Sequence, residues 1–193
     1  MKSADRDWLA RLTAQVWRET EGHGRFGGTF GDRVVLVPVP RSAPGLLEDW
    51  VGERVAWCLK ELGLAVAVMP VLQRRHAVRK SAFAEAGERP SVLEHYASFA
   101  AQRAFWKRMP PARGSLACKP HGNELQLTLI DDVITRGRTM LAAAARLREA
   151  FPEAQIRAFA LVRTLGPDET LRRIFDPCEG EVQWVSGDAR RRP

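Results

Sequence analysis

Two adjacent acids followed by a hydroxyl-rich loop are the residues of this sequence best suited to chemistry. Asp131 and Asp132 close an apolar run that begins at residue 127, and residues 135–139 follow with Gly137 at their centre. Paired carboxylates suit sugar hydroxyls or a metal ion. A short loop leading into a helix offers backbone N–H groups and the positive end of the helix dipole to an anion. The spacing therefore predicts a site for a sugar phosphate.

Such a site needs a buried strand before the acids and a helix after the loop, and the sequence predicts both. Residues 125–130 form a short apolar run typical of a strand, and residues 139–151 have the alanine-rich pattern of a helix. Similar patterns predict strands at 33–39, 64–72, 154–162 and 181–185, and helices at 5–19, 46–62 and 94–108. Strands that alternate with helices indicate an α/β fold with a mostly parallel sheet.

Two further polar segments follow predicted strands. Arg41 and Ser42 lie in a Pro- and Gly-containing loop after the first strand, and the basic run 73–80 follows the second. Open α/β sheets bind their ligands at the carboxyl ends of the strands, so both segments are candidate anion contacts. A solvated surface is the competing interpretation of the basic run.

The composition favours a single α/β domain with an appendage and a phosphate-bearing partner. The chain has 193 residues, and 30 Lys and Arg against 23 Asp and Glu give a net charge of +7. No apolar run approaches the length of a membrane span, and the N-terminus lacks the pattern of a signal peptide, so we expect a cytoplasmic protein without a membrane partner. The three cysteines lack metal-ligand spacing and are expected to be reduced.

Several other features have plainer interpretations. A formal G-x-G-x-x-G match at 22–27 precedes a strand instead of following one, so it is interpreted as a connector. The tail 189–193 is expected to be disordered. Core packing is predicted for four tryptophans, Trp8, Trp17, Trp50 and Trp57. No histidine is assigned a catalytic role.

Residues 129–139 resemble the signature that binds 5-phosphoribosyl-1-pyrophosphate (PRPP) in type I phosphoribosyltransferases. The Val-Pro-Val-Pro run at 37–40 and the arginine-rich run after the next strand are similar to the competence-protein ComF-like branch of that family. The resemblance implies a Rossmann-like parallel sheet with a hood or flap insertion. It divides the chain into an N-terminal helix and connector (1–32), a phosphoribosyltransferase-like domain (33–188, hood about 73–124) and a basic tail (189–193).

The resemblance also implies a role for each candidate residue. Asp131 and Asp132 would bind the ribose 2′- and 3′-hydroxyls, directly or through Mg²⁺. The 5′-phosphate would be held by Thr135, Arg136, Gly137, Arg138 and Thr139. The pyrophosphate would be contacted by Arg41, Ser42, Arg74, Arg75, Arg79 and Lys80.

The implied activity is transfer of the phosphoribosyl group from PRPP to a nucleobase or another nitrogen nucleophile, with Mg²⁺ and release of pyrophosphate. Thr135 departs from the family pattern, because members acting on 6-oxopurines carry Asp there, and Arg136 and Arg138 replace smaller residues. Two alternatives stay open: a non-catalytic PRPP or nucleotide-binding module that works with DNA-processing partners, and a nucleic-acid-binding protein that uses its basic segments. The sequence leaves the oligomeric state open, a homodimer included.

Overall fold

The computed structural model describes residues 4–44, 50–79, 88–104, 125–165 and 177–192. The helices are α1 (Ala4–His23), α2 (Val51–Glu61), α3 (Val92–Ser98) and α4 (Arg138–Ala150). The strands are β1 (Gly31–Pro38), β2 (Ala65–Val68), β3 (Leu72–Arg74), β4 (Phe99–Ala101), β5 (Gln126–Ile134), β6 (Gln155–Arg163), β7 (Glu181–Val185) and β8 (Asp188–Arg192). Among these residues no helix is long and apolar enough to cross a membrane.

A four-stranded parallel sheet in the order β2-β1-β5-β6 forms the centre of the fold. This confirms the predicted α/β class with a parallel sheet. The chain moves from β1 through α2 to β2 in one direction, and from β5 through α4 to β6 in the other. The order of the strands therefore reverses between β1 and β5, and this reversal leaves a crevice at their carboxyl ends.

Both faces of the sheet are covered, because the inner strands are apolar on each side. Val35 and Leu129 belong to one cluster together with residues of α4, whereas Val34, Leu36 and Ile130 belong to a second cluster with residues of α1 and α2. Alternate residues of a strand point to opposite faces of the sheet. A strand that is apolar at every position is therefore buried on both faces. The resulting core holds the carboxyl ends of β1 and β5 rigidly side by side.

The prediction of one strand over 64–72 was wrong, because this segment forms two strands in different sheets. β2 ends at Val68, Pro70 interrupts the run, and β3 pairs antiparallel with β4. The predicted helix 94–108 also ends early, since Phe99 is extended and begins β4. Residues 80–87 and 105–124 of the predicted hood lie outside the described residues. Its described part contributes β3, α3 and β4, of which α3 and β4 pack against α4.

The expected disorder of the tail was also wrong for residues 189–192. They form β8, which pairs with β7 in a hairpin, and Ala189 is buried in the core at 4% exposure. The hairpin loop is Ser186-Gly187, with φ values of 51° and 82°. Positive φ at both central residues is typical of the two-residue turn that matches the twist of paired strands. The predicted strand at 181–185 is confirmed.

Three of the four tryptophans predicted to lie in the core are instead exposed at their helix surfaces. Trp8, Trp17 and Trp57 are 39%, 42% and 46% exposed, so the prediction was wrong for them. On α1 the buried positions are Leu9, Thr13 and Val16, and both tryptophans of that helix lie one residue beside this stripe. For the fourth, Nε1 of Trp50 donates to the carbonyl of Val39 at 3.0 Å.

Candidate functional site

The crevice between β1 and β5 brings two of the predicted anion segments together. The N–H of Val39 donates to the carbonyl of Ile130 at 2.8 Å, so the loop after β1 starts beside the acids of β5. Arg41 is exposed and Ser42 is half-buried in this loop. Ligands of open α/β folds bind at such reversal points, which makes this edge the candidate site.

Asp131 and Asp132 lie inside β5, whereas the sequence predicted that the strand would end before them. Pairing with β6 continues from Asp131 opposite Ala160 to Ile134 opposite Arg163. Each carboxylate accepts the N–H of the residue that follows it, with distances of 3.0 Å for Asp131 and 2.9 Å for Asp132. The strand therefore fixes both acids at the sheet edge before any ligand arrives.

The carboxyl group of Asp131 is costly to ionise in the ligand-free protein. Burial raises its pKa well above the usual value, and the charge and hydrogen bond of Asp132 raise it further. The N–H of Asp132 and the positive charge of Arg74 act in the opposite direction. A cation or a row of hydroxyl donors placed here would lower this cost, because both stabilise the ionised form.

The loop after the acids forms a small depression that ends at the start of α4. It is lined by residues 135–139 together with Asp131 and Arg89. Gly137 has φ 86° and precedes the first helical residue. The first N–H groups of a helix have no partner within the helix, so those of α4 are suited to bind an anion in this depression. The predicted strand, loop and helix thus occur in the predicted order.

The two arginines of the loop share one carboxylate of the C-terminal hairpin. Arg138 donates to both oxygens of Asp188, and also to the carbonyls of Arg89 and Pro90 at 3.1 and 3.2 Å. Arg136 reaches the same carboxylate at 3.3 Å and its side chain is 60% exposed. Hydrogen bonding to Arg138 lowers the pKa of Asp188. Arg138 therefore braces the loop, while Arg136 keeps most of its surface free.

Arg74 is buried, although its sequence context favoured a surface contact with pyrophosphate. It is 7% exposed, its Nε donates to the carbonyl of Arg41 at 2.9 Å, and Nη1 donates to Ser98. Its guanidinium lies 3.9 Å from the ring centroid of Phe99. Burial lowers the pKa of Arg74 to about 10 while the charge of Asp131 opposes the shift, so the side chain stays cationic at neutral pH. Because Arg74 belongs to β3, its hydrogen bond to Arg41 connects the loop after β1 to the two-stranded sheet of β3 and β4.

The remaining basic candidates lie farther along the same segment. Arg75 is exposed, and its N–H donates to the carbonyl of Ser98 at 2.7 Å. Arg79 forms an exposed ion pair with Glu88. Lys80 lies outside the described residues. Their proposed contacts with pyrophosphate stay predictions.

His95 is a buried polar residue of this region to which the sequence assigned no role. It is 4% exposed and lies 3.4 Å from both Arg74 and Thr139. The start of α3 was detectable, because Ser91 and Glu94 form a capping box. Its inward orientation depends on β3 and α4, which no local pattern reveals.

No known family model and no curated protein sequence matches this chain. Among the described residues, no group of three or more His, Cys, Asp or Glu side chains is arranged to hold a metal ion. The candidate site is accordingly defined by its own geometry: paired acids, an anion loop and a neighbouring basic loop at one sheet edge.

Proposed function

We propose that this protein binds PRPP and transfers its phosphoribosyl group to a nitrogen nucleophile, as type I phosphoribosyltransferases do. The supporting observation is the convergence of the Asp131–Asp132 pair, the 135–139 loop and the Arg41–Ser42 loop where the strand order reverses. These three parts suit the ribose, the 5′-phosphate and the pyrophosphate of one ligand.

Each part would stabilise a different charge along the reaction. The bond from the anomeric carbon to pyrophosphate breaks, a bond from that carbon to nitrogen forms, and the proton of the nucleophile passes to the departing pyrophosphate or to water. Asp131 and Asp132 accept hydrogen bonds from the ribose hydroxyls and, when ionised, favour positive charge on the sugar. The loop of Arg41 and Ser42 faces the departing pyrophosphate. Catalysis would then come mainly from positioning and charge stabilisation.

The acids also fit Mg²⁺. Carboxylate oxygens are the ligands this ion prefers, and it is often held by one or two carboxylates together with substrate phosphates. Asp131 and Asp132 would hold it, directly or through the ribose, and bound Mg²⁺ would neutralise charge on the pyrophosphate. Bound Mg²⁺ would favour the ionised form of Asp131 and so oppose the burial that raises the pKa of this carboxyl.

A non-catalytic PRPP or nucleotide-binding module, acting with DNA-processing partners, is the second candidate. Its support is that two arginines expected to contact the ligand, Arg74 and Arg138, use their donors within the protein. A site with fewer free cations would hold PRPP without strongly assisting departure of pyrophosphate.

Calorimetry with PRPP and Mg²⁺ tests binding, which both candidates require. Binding is expected for the wild type and for Asp32→Asn, whose exposed acid lies at the opposite end of β1, and it should be lost in Asp132→Asn. No binding by the wild type would refute both candidates.

Pyrophosphate release then separates the enzyme from the module. The purified protein is incubated with PRPP, Mg²⁺ and a panel of nucleobases and amines. Release that requires one acceptor and disappears in Asp132→Asn supports the transferase. Tight PRPP binding without release for any acceptor favours the binding module, and PRPP-dependent retention of a DNA-processing partner would then support it.

A further inference from the structure

His95 connects the two loops that border the candidate site. Its Nδ1 lies 3.4 Å from Nη1 of Arg74, and its Nε2 lies 3.4 Å from Oγ1 of Thr139. Arg74 continues the connection through its hydrogen bond to the carbonyl of Arg41. Because the ring is only 4% exposed, water has little access to compete for either nitrogen.

The chemistry of arginine determines which nitrogen of His95 carries the hydrogen. A guanidinium donates and has no acceptor, so Nδ1 accepts from Arg74. Nη1 has two hydrogens, which serve both Ser98 and this ring. In a neutral imidazole the other nitrogen is then protonated, so Nε2–H donates to Thr139.

The ring stays neutral at physiological pH. Burial and then the positive charge of Arg74 lower the pKa of His95 to about 4. Glu94 on the same helix acts in the opposite direction, and Arg138 on α4 adds to the lowering. The direction of the two hydrogen bonds is therefore fixed over the physiological range.

A threonine hydroxyl that accepts a hydrogen bond keeps its own hydrogen to donate. Thr139 is the second residue of α4 and lines the depression at 135–139. We infer that His95, oriented by Arg74, is a positioning residue that sets the Thr139 hydroxyl as a donor to the anion bound in this depression. The inference rests on the proposed function for the identity of that anion, the 5′-phosphate of PRPP.

The arrangement gives the site a one-directional order of donors. Arg74 donates to His95, His95 donates to Thr139, and Thr139 donates to phosphate. Once His95 accepts from Arg74 it can only donate to Thr139, and once Thr139 accepts from His95 its hydroxyl hydrogen is left to donate to the phosphate. Loss of His95 would leave the hydroxyl in place but free to rotate toward other acceptors, so anion binding would weaken while the loop remained intact.

The tautomer of His95 tests the first step without any ligand. Ring-nitrogen NMR at pH 7, assigned by comparison with His95→Phe, should show a protonated Nε2 and an unprotonated Nδ1. A protonated Nδ1, or a cationic ring at this pH, would overturn the inference even if PRPP binds. If His95→Phe does not fold, His95→Gln provides the assignment.

Binding of inorganic phosphate and of PRPP with Mg²⁺ tests the second step. His95→Phe and Thr139→Val should each weaken binding about tenfold, the loss of one hydrogen bond to a charged group, while Thr139→Ser keeps it. In the Thr139→Val background, His95→Phe should cause no further loss. Equal losses in both backgrounds would overturn the positioning role. Absence of binding to the wild type would refute the proposed function and the donor role together, whereas the wrong tautomer in a PRPP-binding protein refutes the donor role alone.

Discussion

Asp131 keeps a carboxyl group where the ligand-free protein disfavours its ionised form. The cause lies in its surroundings, since burial and the neighbouring Asp132 both raise its pKa, and Arg74 offsets only part of this. A site built for a ligand tolerates such a cost because the ligand supplies the missing partners. Asp131 should therefore lower the stability of the ligand-free protein and raise its affinity for PRPP.

Replacement of Asp131 by Asn should stabilise the ligand-free fold at neutral pH and weaken PRPP binding. The folded pKa lies above the unfolded value of 3.8, so the wild type loses stability as the pH rises from that value through the folded pKa. Urea unfolding between pH 4 and 8 should show a flatter profile for the variant. Asp32→Asn, at an exposed acid, is the control, and parallel profiles for wild type and Asp131→Asn would contradict the prediction.

Replacement of Arg74 by Lys should destabilise the fold by about 2 kcal/mol, because an ammonium cannot reproduce the separate hydrogen bonds to Arg41 and Ser98, each contributing about 1 kcal/mol. Arg75→Lys makes the same change at the exposed neighbour and should alter stability by less than about 0.5 kcal/mol. Denaturant unfolding measures both. Equal effects of the two substitutions would show that Arg74 has no structural role.

At the scale of elements, the C-terminal hairpin completes the anion loop. Asp188 binds both loop arginines, and Val182 lies over Gly137, where an added Cβ would approach its Cγ1 to 2.6 Å. The loop therefore owes its shape to a hairpin that the sequence alone suggested was partly a disordered tail.

Gly137→Ala should destabilise the protein by more than Gly63→Ala does. Both glycines have positive φ, 86° and 82°, so each substitution costs about 1–2 kcal/mol of backbone strain. Only Gly137 also meets a side chain, since nothing lies within 4 Å of a Cβ at Gly63. Adding Val182→Ala to Gly137→Ala should remove the extra loss of stability that Gly137→Ala shows over Gly63→Ala. Unfolding free energies of the three variants test this, and equal losses at both glycines would exclude a packing role for Val182.

The predictability of these elements follows from how local their causes are. β1, α4 and the parallel sheet were predictable because apolar runs and helical spacing repeat along the chain. The Ser186-Gly187 turn also has a local sequence signal, but the run of arginines that follows it favoured a disordered tail. The burial of Arg74 could not be predicted, because a basic run normally faces water and its partner Ser98 lies 24 residues away. The polarity of Asp131 and Asp132 predicted that the strand ends before them, whereas β5 continues through both acids because it pairs with β6.

At the scale of the molecule, the strand order concentrates the candidate site at one edge of the sheet. The carboxyl ends of β1 and β5 carry the loops, while their amino ends face the opposite edge, where Asp32 lies. The exposed tryptophans of α1 and α2 (Trp8, Trp17 and Trp57) lie away from the carboxyl ends of the strands, whereas a fourth exposed tryptophan, Trp184, lies on β7 of the C-terminal hairpin. Ligand binding should therefore affect one edge and leave the other unchanged.

Hydrogen exchange with and without PRPP and Mg²⁺ can map this asymmetry. Protection should increase at 39–44 and 131–139, since ligand contacts suppress local opening. Exchange at 31–33, at the opposite end of β1, should not change and is the internal control. Equal protection at both ends of β1 would contradict the prediction, because it would mean that the ligand binds elsewhere or stabilises the whole fold.

Arg138 also has a consequence for the order of folding. Its partners Pro90 and Asp188 lie 48 and 50 residues away, on opposite sides in sequence. Contacts of such separation require closure of long loops and commonly form after the rate-limiting barrier. Asp188→Asn should then accelerate unfolding and leave the refolding rate nearly unchanged. The anion loop would then take its final shape only after the rate-limiting barrier, so the chain would become able to hold a phosphate late in folding.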